Sequence, residues 1–258
     1  MSRRGGKHER MNVEINGARI FFEIPIFGGI PITATMVNAW CVMALIIGVC
    51  IWLTRGLKVR PTSKRQIVAE YLVETAQKFV VGNMGEKFRH MVPFVSAIFG
   101  MSVLCSLSSM VGAFPATSDL STELAWAVVV FIMITATKIK TSGFGGDLKG
   151  FTQPIAVLTP FNILSELATP ISMAFRHFGN IISGSVITAL LYAALATASH
   201  ALFGWLPGAL GKILGSIPIL QVGIPAVFSV YFDLFSSCMQ AFIFCMLTML
   251  YIANAAEE

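Results

Sequence analysis

Long apolar segments are the feature that most limits what this chain can fold into. Three of them, 34–53, 93–114 and 124–137, precede a region, 154–251, that is long enough to hold more than one membrane crossing. A helix needs about 20 residues to cross the hydrocarbon core of a bilayer. Charged residues make up only 12% of the 258 positions, about half the share in an average soluble domain. We therefore predict an all-α polytopic membrane protein.

The positions of Lys and Arg predict the orientation of these segments. Eight follow the first segment and three follow the third, whereas the loop 115–121 after the second has none. Because basic residues accumulate in cytoplasmic loops, we expect the amino terminus outside. The basic residues between Arg3 and Arg19 do not fit this orientation. Either the rule weakens at their distance from the first span, or Met11 is the true start.

Two segments between the spans differ in character. In the segment of about 62–88, apolar residues recur at helical spacing among charged ones, which predicts an amphipathic helix on the cytoplasmic membrane surface. The glycine-rich segment 141–150 lacks the GxxxxGK[ST] spacing of a phosphate loop. We expect it to be a flexible turn.

Arg176 lies deep in the last apolar region, where a permanent charge is costly. An Arg at mid-bilayer costs about 2.5–3.5 kcal/mol and usually faces a wet cavity or a charged partner. At 100° per residue, six other polar residues lie within about 40° of it on a helix: Asn162, Ser165, Thr169, Ser172, Asn180 and Ser183. This stripe predicts a hydrated ion path, with Glu166 at its border. The alternative is that the hydroxyl residues only support close helix packing.

A second polar stripe surrounds Asp233, the only acid in 222–251. Ser229, Ser236, Ser237, Gln240 and Tyr251 lie within about 60° of it in helical phase. A carboxyl inside a membrane is suited to relaying protons. It could instead form an ion pair with Arg176 or Lys212.

The helix count of the last region is open from hydropathy alone. Residues 160–200 contain no strong break, and as one helix they would measure about 60 Å, twice the hydrocarbon thickness. They form either two spans, with a break near Gly179 to Gly184, or one strongly tilted or bent helix.

Two runs in this region resemble subunit a of the rotary F-type ATP synthase, bacterial type. They are PFNILSELATPISMAFRHFGNIISG (160–184) and QAFIFCMLTMLYI (240–252), with a weaker match in PATSDLST (115–122). The resemblance implies five membrane-inserted helices, the last two long and tilted, with the carboxyl terminus in the cytoplasm. The expected spans are about 34–53, 93–114, 122–138, 160–200 and 222–252, within one membrane domain of residues 31–258. Residues 1–30 are expected to form an extracytoplasmic segment.

The function that the resemblance implies is that of an ion-translocating stator subunit in a bacterial plasma membrane. Two half-channels would carry H⁺ or Na⁺ to and from carboxylates of a rotating c-subunit ring, which couples ion flow to ATP synthesis or hydrolysis. The implied partners are the c-ring, the b-subunit peripheral stalk, the rest of the ATP synthase and the lipid bilayer. We expect no nucleic-acid partner.

The motifs also imply roles for individual residues. Arg176 would separate the two half-channels. Asn180, Asp233 and Gln240 would belong to the outer half-channel or support Arg176, with Asp119 and Glu123 near the outer mouth. Asn162, Ser165 and Glu166 would belong to the cytoplasmic path.

This chain departs from the family pattern at three positions. His177 stands where many members have Leu, and Ser185 stands where many have an acid. Asp233 stands where many have the His that faces that acid. Asp233 would then carry the outer relay alone, and His177 would add a titratable group beside Arg176 or serve only in packing.

Other function classes fit the sequence less well. A secondary transporter with Arg176 as an anion site would be expected to show repeated halves, and no internal repeat is visible. GxSxG and HExxH motifs are absent, as is a nucleotide-binding loop, so we do not expect an enzyme. The five cysteines form no CxxC pair, and we predict no cofactor and no metal site.

The relay role of Asp233 predicts that Asp233→Asn abolishes or greatly slows ATP-driven ion pumping, because an amide cannot accept and release a proton. Pumping by membrane vesicles would measure this. Full pumping by the variant would refute the assignment.

Overall fold

The computed structural model describes residues 19–25, 30–59, 63–152, 156–203, 227–228 and 230–257. The basic residues Arg3, Arg4, Lys7 and Arg10, the loop with Lys212, the beginning of the last predicted span and Ser229 lie outside this part of the chain. The side chain of Asp233 is also outside it, although the backbone at that position is described.

Six α-helices account for most of the described residues. They are α1 (Ala34–Thr54), α2 (Lys64–Met84), α3 (Val92–Leu107), α4 (Leu120–Thr152), α5 (Thr159–Phe203) and α6 (Ser237–Asn254). A π-helical segment, Val230–Ser236, leads directly into α6, and short 3₁₀ turns flank α3 and precede α4 and α5.

Within the described ranges, five helical segments are long and apolar enough to cross a membrane, and α2 is not among them. They are Ala34–Thr54, Glu86–Val111, Leu120–Gly143, Thr159–Ser199 and Val230–Asn254. The predicted fold class, an all-α polytopic membrane protein, is therefore confirmed.

A small hairpin before α1 was not predicted. Strands β1 (Ile20–Ile24) and β2 (Ile30–Thr33) pair antiparallel, with an irregularity in register between Ile20 and Phe22. The residues of both strands are mostly β-branched or aromatic, which favours strands. The backbone N–H of Ala34 donates to the carbonyl oxygen of Arg19 at 2.9 Å, so the hairpin is joined to the first turn of α1.

The expected flexible turn at 141–150 is wrong. Helix α4 continues through this segment to Thr152, and the glycines produce one kink, at Gly143, with φ 73° and ψ 159°. That backbone region is almost exclusive to glycine. The glycine composition therefore marks a bend between two helical parts rather than an unstructured connection.

Helix α5 answers the question of one span or two. Its 45 residues form one continuous helix with Pro170 inside it, about 67 Å long at 1.5 Å per residue. Proline is tolerated in membrane helices because neighbouring groups satisfy the freed backbone. Gly179 and Gly184 do not break the helix, so the polar stripe of this segment stays on one face.

The core lies where α2, α3, α4, α5 and α6 meet. Each contributes a buried side chain to one apolar cluster, among them Val80, Val95, Val130, Met173 and Met249. Lipid tails are as apolar as these side chains, so close packing rather than expulsion of water holds such helices together. This packing leaves one face of α5 turned away from the bundle.

The kink at Gly143 gives the first structural prediction. Gly143→Ala should lower the stability of the protein by about 1–3 kcal/mol, because alanine is strained at this φ and ψ. Gly145→Ala is the matched control, since Gly145 lies in the same helix without a positive φ and a Cβ added at either glycine would meet no other atom within 4 Å. Thermal unfolding in detergent, followed by circular dichroism, would compare them. Equal effects of the two substitutions would contradict the role of the kink.

Candidate functional site

Arg176 lies on the exposed face of α5, well inside the membrane-crossing segment Thr159–Ser199. Among the described residues, no carboxylate forms an ion pair with its guanidinium. Its carbonyl oxygen accepts a hydrogen bond from Asn180 Nδ2 at 3.0 Å. The charge is therefore presented to whatever lies against this face of the helix.

The polar stripe predicted around Arg176 follows the same outward face. Ser165, Ser172, Asn180 and Ser183 are exposed, and Asn162 and Thr169 are half-buried. The residues on the opposite side of the helix near Arg176, including Met173, Ala174 and His177, are buried in the bundle. Because the helix is continuous, the polar residues predicted to share one face do lie along one strip of an otherwise apolar surface.

A small gap separates α5 from α6 beside Arg176. Its lining includes Arg176, His177, Gln240 and Phe244, and its water-accessible space is about 10 Å³. That is close to the least space that holds one water molecule. Gln240 thus lies near Arg176, as the sequence motif implied, with its side chain half-buried.

His177 does not share the exposure of its neighbour. Consecutive helical residues differ by about 100° in direction, and His177 points into the bundle with 1% of its surface exposed. Its Nδ1 lies 3.0 Å from Oε2 of Glu123 on α4, and its Nε2 lies 3.3 Å from the hydroxyl of Ser102 on α3. The ring also packs against Phe244 of α6, with centroids 5.9 Å apart. One imidazole therefore contacts three other helices.

Glu123 and Asp119, both expected near the outer mouth, occupy different environments. Asp119 is half-buried at the start of α4; its carboxylate accepts from the backbone N–H of Ser121 at 3.0 Å and from the hydroxyl of Thr35 at 3.2 Å. This capping satisfies free N–H groups of the helix end. Glu123 is fully buried one turn further along.

Glu166 forms a contact that the stripe did not predict. Its carboxylate lies 3.5 Å from Nζ of Lys138 on α4, and both side chains are largely buried, with 17% and 20% exposed. This ion pair joins α4 to α5 about three helical turns from Arg176. Ser165, which was predicted to line the cytoplasmic path together with Glu166, is exposed.

The backbone around Asp233 is wound as a π-helix. The assumption of 100° per residue therefore does not hold from Val230 to Ser236, and the predicted phase relation between Asp233 and Gln240 changes. Single π turns within α-helices occur frequently at functional sites. Ser185 is exposed on α5, and its hydroxyl donates to the carbonyl oxygen of Ile182 at 2.8 Å.

Comparison with known proteins decides the family. The family model described as ATP synthase A chain matches residues 36–253, which is most of the chain. The chain belongs to the ATP synthase A chain family.

Individual relatives agree with this assignment. ATP synthase subunit a 1 of Chlorobaculum parvum is 32% identical over 89% of the chain and 91% of its own length. ATP synthase subunit a of Moorella thermoacetica is 29% identical over 90% of the chain and 94% of its own length. The sodium ion specific subunit a of Propionigenium modestum is 31% identical over 89% of the chain and 76% of its own length.

Membership of the ATP synthase A chain family confirms the predicted class of the protein. It is a membrane subunit of the rotary ATP synthase, multi-pass, ion-translocating and without catalytic activity of its own. The roles of individual side chains in ion movement remain predictions.

The sequence did not predict two residues that contact this site. Ser102 and Lys138 contact His177 and Glu166, respectively. Ser102 is a small residue in an apolar span, and only its hydroxyl group indicates that it could form a polar contact. Lys138, at the end of the third predicted span, was counted for topology only. Both contacts join residues far apart in sequence, which helical periodicity does not reveal.

The ion pair between α4 and α5 predicts a measurable coupling energy. In a double-mutant cycle, Lys138→Met and Glu166→Gln should show coupling of about 1 kcal/mol, because opposite charges interact more strongly when shielded from water. The exposed pair Glu74–Lys78, at 2.8 Å within α2, is the matched control and should show a smaller coupling energy, because water screens exposed charges. Unfolding followed by tryptophan fluorescence in detergent would measure both. A smaller coupling for Lys138–Glu166 would contradict this reading.

Proposed function

We propose that the exposed strip of α5 forms walls of two half-channels, with Arg176 between them. The observation that carries the proposal is the outward-facing Arg176 inside a membrane-crossing helix, in line with exposed Ser172, Asn180 and Ser183. A charge in such a position needs water or a polar partner from outside the chain. A ring of c subunits, each bearing a membrane carboxyl, supplies that partner.

Arg176 works as a barrier and as a transient partner. Its guanidinium has five donors and no acceptor and stays protonated, so it passes no protons and repels a cation that would leak straight across. Beside a ring carboxyl, it favours the ionised form and hence release of the bound ion. The two groups separate again as the ring turns, since a permanent pair would stop rotation.

The other predicted site residues belong either to the outer or to the cytoplasmic half-channel. Asp119 and Glu123 lie at the outer entrance, and Asp233, Asn180, Gln240 and Ser185 continue the outer half to Arg176. Glu166, Asn162 and Ser165 line the cytoplasmic half. The distribution of Lys and Arg supports this direction, with the amino terminus outside and the carboxyl terminus in the cytoplasm.

The position of α2 fits the same arrangement. Its exposed apolar residues, such as Ile67, Tyr71 and Leu72, suit a helix lying on the cytoplasmic membrane surface. The peripheral stalk and the remaining subunits assemble around this framework. The membrane domain then comprises residues 31–258, with the amino-terminal segment 1–30 outside.

The barrier role predicts the phenotype of Arg176→Ala. The variant complex should lose ATP-driven pumping, because the half-channels are then no longer separated, while the soluble head still hydrolyses ATP. Pumping by inverted vesicles and ATPase activity would be measured on the same preparation. Arg89→Ala is the control, since Arg89 is exposed in the 3₁₀ turn that follows α2, and it should pump normally. Pumping by Arg176→Ala at the wild-type rate would overturn the proposal, as would failure of the chain to copurify with a proteolipid ring.

A further inference from the structure

Glu123 and His177 form a buried acid–base pair beside Arg176. The two side chains are 0% and 1% exposed, and Oε2 of Glu123 lies 3.0 Å from Nδ1 of His177. Despite this distance, the pair does not meet hydrogen-bond geometry: Oε1 and Oε2 of Glu123 and Nδ1 of His177 have no hydrogen-bond partner among the described residues. Buried carboxyl oxygens are normally satisfied. The unpartnered carboxyl of Glu123 can therefore still bind a proton or a water molecule, which a role in packing alone would not require.

Buried hydroxyls extend from this pair toward the outer turn before α4. The hydroxyls of Ser106 and Thr117 lie 2.9 Å apart, and both residues are buried. Ser102, which contacts His177, is one helical turn from Ser106 on α3, about 6 Å along the axis. Thr117 lies in the 3₁₀ turn Ala116–Ser118. These groups make a polar line through an otherwise apolar part of the bundle.

On its other side, the pair reaches the gap beside Arg176. His177 and Arg176 both line this gap, together with Gln240. His177 therefore lies beside the position where a ring carboxyl would meet Arg176.

We infer that Glu123 and His177 are a proton relay of the outer half-channel, so that Asp233 does not carry the relay alone. This inference rests on the proposed half-channel function and deepens it by naming the ion as H⁺ in this step. One proton moves from the imidazolium Nδ1–H to the Glu123 carboxylate, which leaves neutral imidazole and a carboxylic acid, or it moves back. Only one N–H and one O–H bond change.

A purely structural role would explain the same contacts differently. His177 would then hold α3, α4 and α5 together and fix the rotation of α5. Glutamine substitutions separate the two roles, because a glutamine amide keeps polar contacts of similar reach but neither takes up nor releases a proton.

The experiment measures ATP-driven pumping by vesicles in Na⁺-free medium, with ATPase activity and subunit content as assembly controls. Glu123→Gln and His177→Gln should each slow pumping by about a hundredfold in assembled complexes. Glu86→Gln and His90→Gln, two exposed residues of the turn before α3, should pump normally. Wild-type pumping by the Glu123 and His177 variants would overturn the relay. A strict need of the wild-type protein for Na⁺ would overturn it as well.

A second measurement tests the relay without substituting Glu123 or His177, in case those variants fail to assemble. In a chain with Cys41, Cys50, Cys105 and Cys238 replaced by alanine, Ser106→Cys places a small thiol on the proposed line. Silver ions added on the outer side should then block pumping, whereas the parent chain, which retains buried Cys245, should be insensitive. Insensitivity of the Ser106→Cys chain would overturn the relay. Arg176→Ala, run in parallel, reports on the half-channel proposal separately.

Discussion

The charge of Arg176 on the free face of a membrane-crossing helix is the constraint on which the rest of the structure depends. A guanidinium at this depth is costly unless something polar solvates it, and the described part of the chain offers it no carboxylate. The exposed Ser and Asn residues in line with it extend a polar surface along α5. An apolar bilayer against this face would be unfavourable, so water or a polar group is expected there.

The bundle behind α5 holds that charge in place. Arg176 faces outward and His177 faces inward because consecutive helical residues differ by about 100°. His177 contacts Glu123, Ser102 and Phe244 on three other helices, so rotation of α5 would break all three contacts. About three turns away, the Lys138–Glu166 pair restrains the same helix against α4. The outward direction of Arg176 is thus coupled to buried polar contacts on the opposite face.

Local periodicity predicted the parts of the site that lie on one helix. The polar stripe from Asn162 to Ser183 depends only on helical spacing, and it holds because α5 runs without a break through Pro170 and Gly184. The Glu123–His177 contact joins residues 54 positions apart, and no single-helix pattern contains that information. The π winding at Val230–Ser236 and the kink at Gly143 also escaped prediction, since both change the backbone repeat on which the phase argument depends. The amino-terminal hairpin was missed because its strands are short and precede the first apolar span.

Cross-linking between α5 and the ring tests the central claim most directly, since it asks which face of the helix meets the rotor. In a chain without its native cysteines, Ser172→Cys and Ser183→Cys would be placed on the exposed face and Ala174→Cys on the buried one. Each would be combined with cysteines on the outer surface of the ring subunit at matching depth, and disulfide formation would be scored in assembled complexes. The account predicts cross-links from positions 172 and 183 and none from 174. Cross-links from 174, with none from the exposed face, would contradict it.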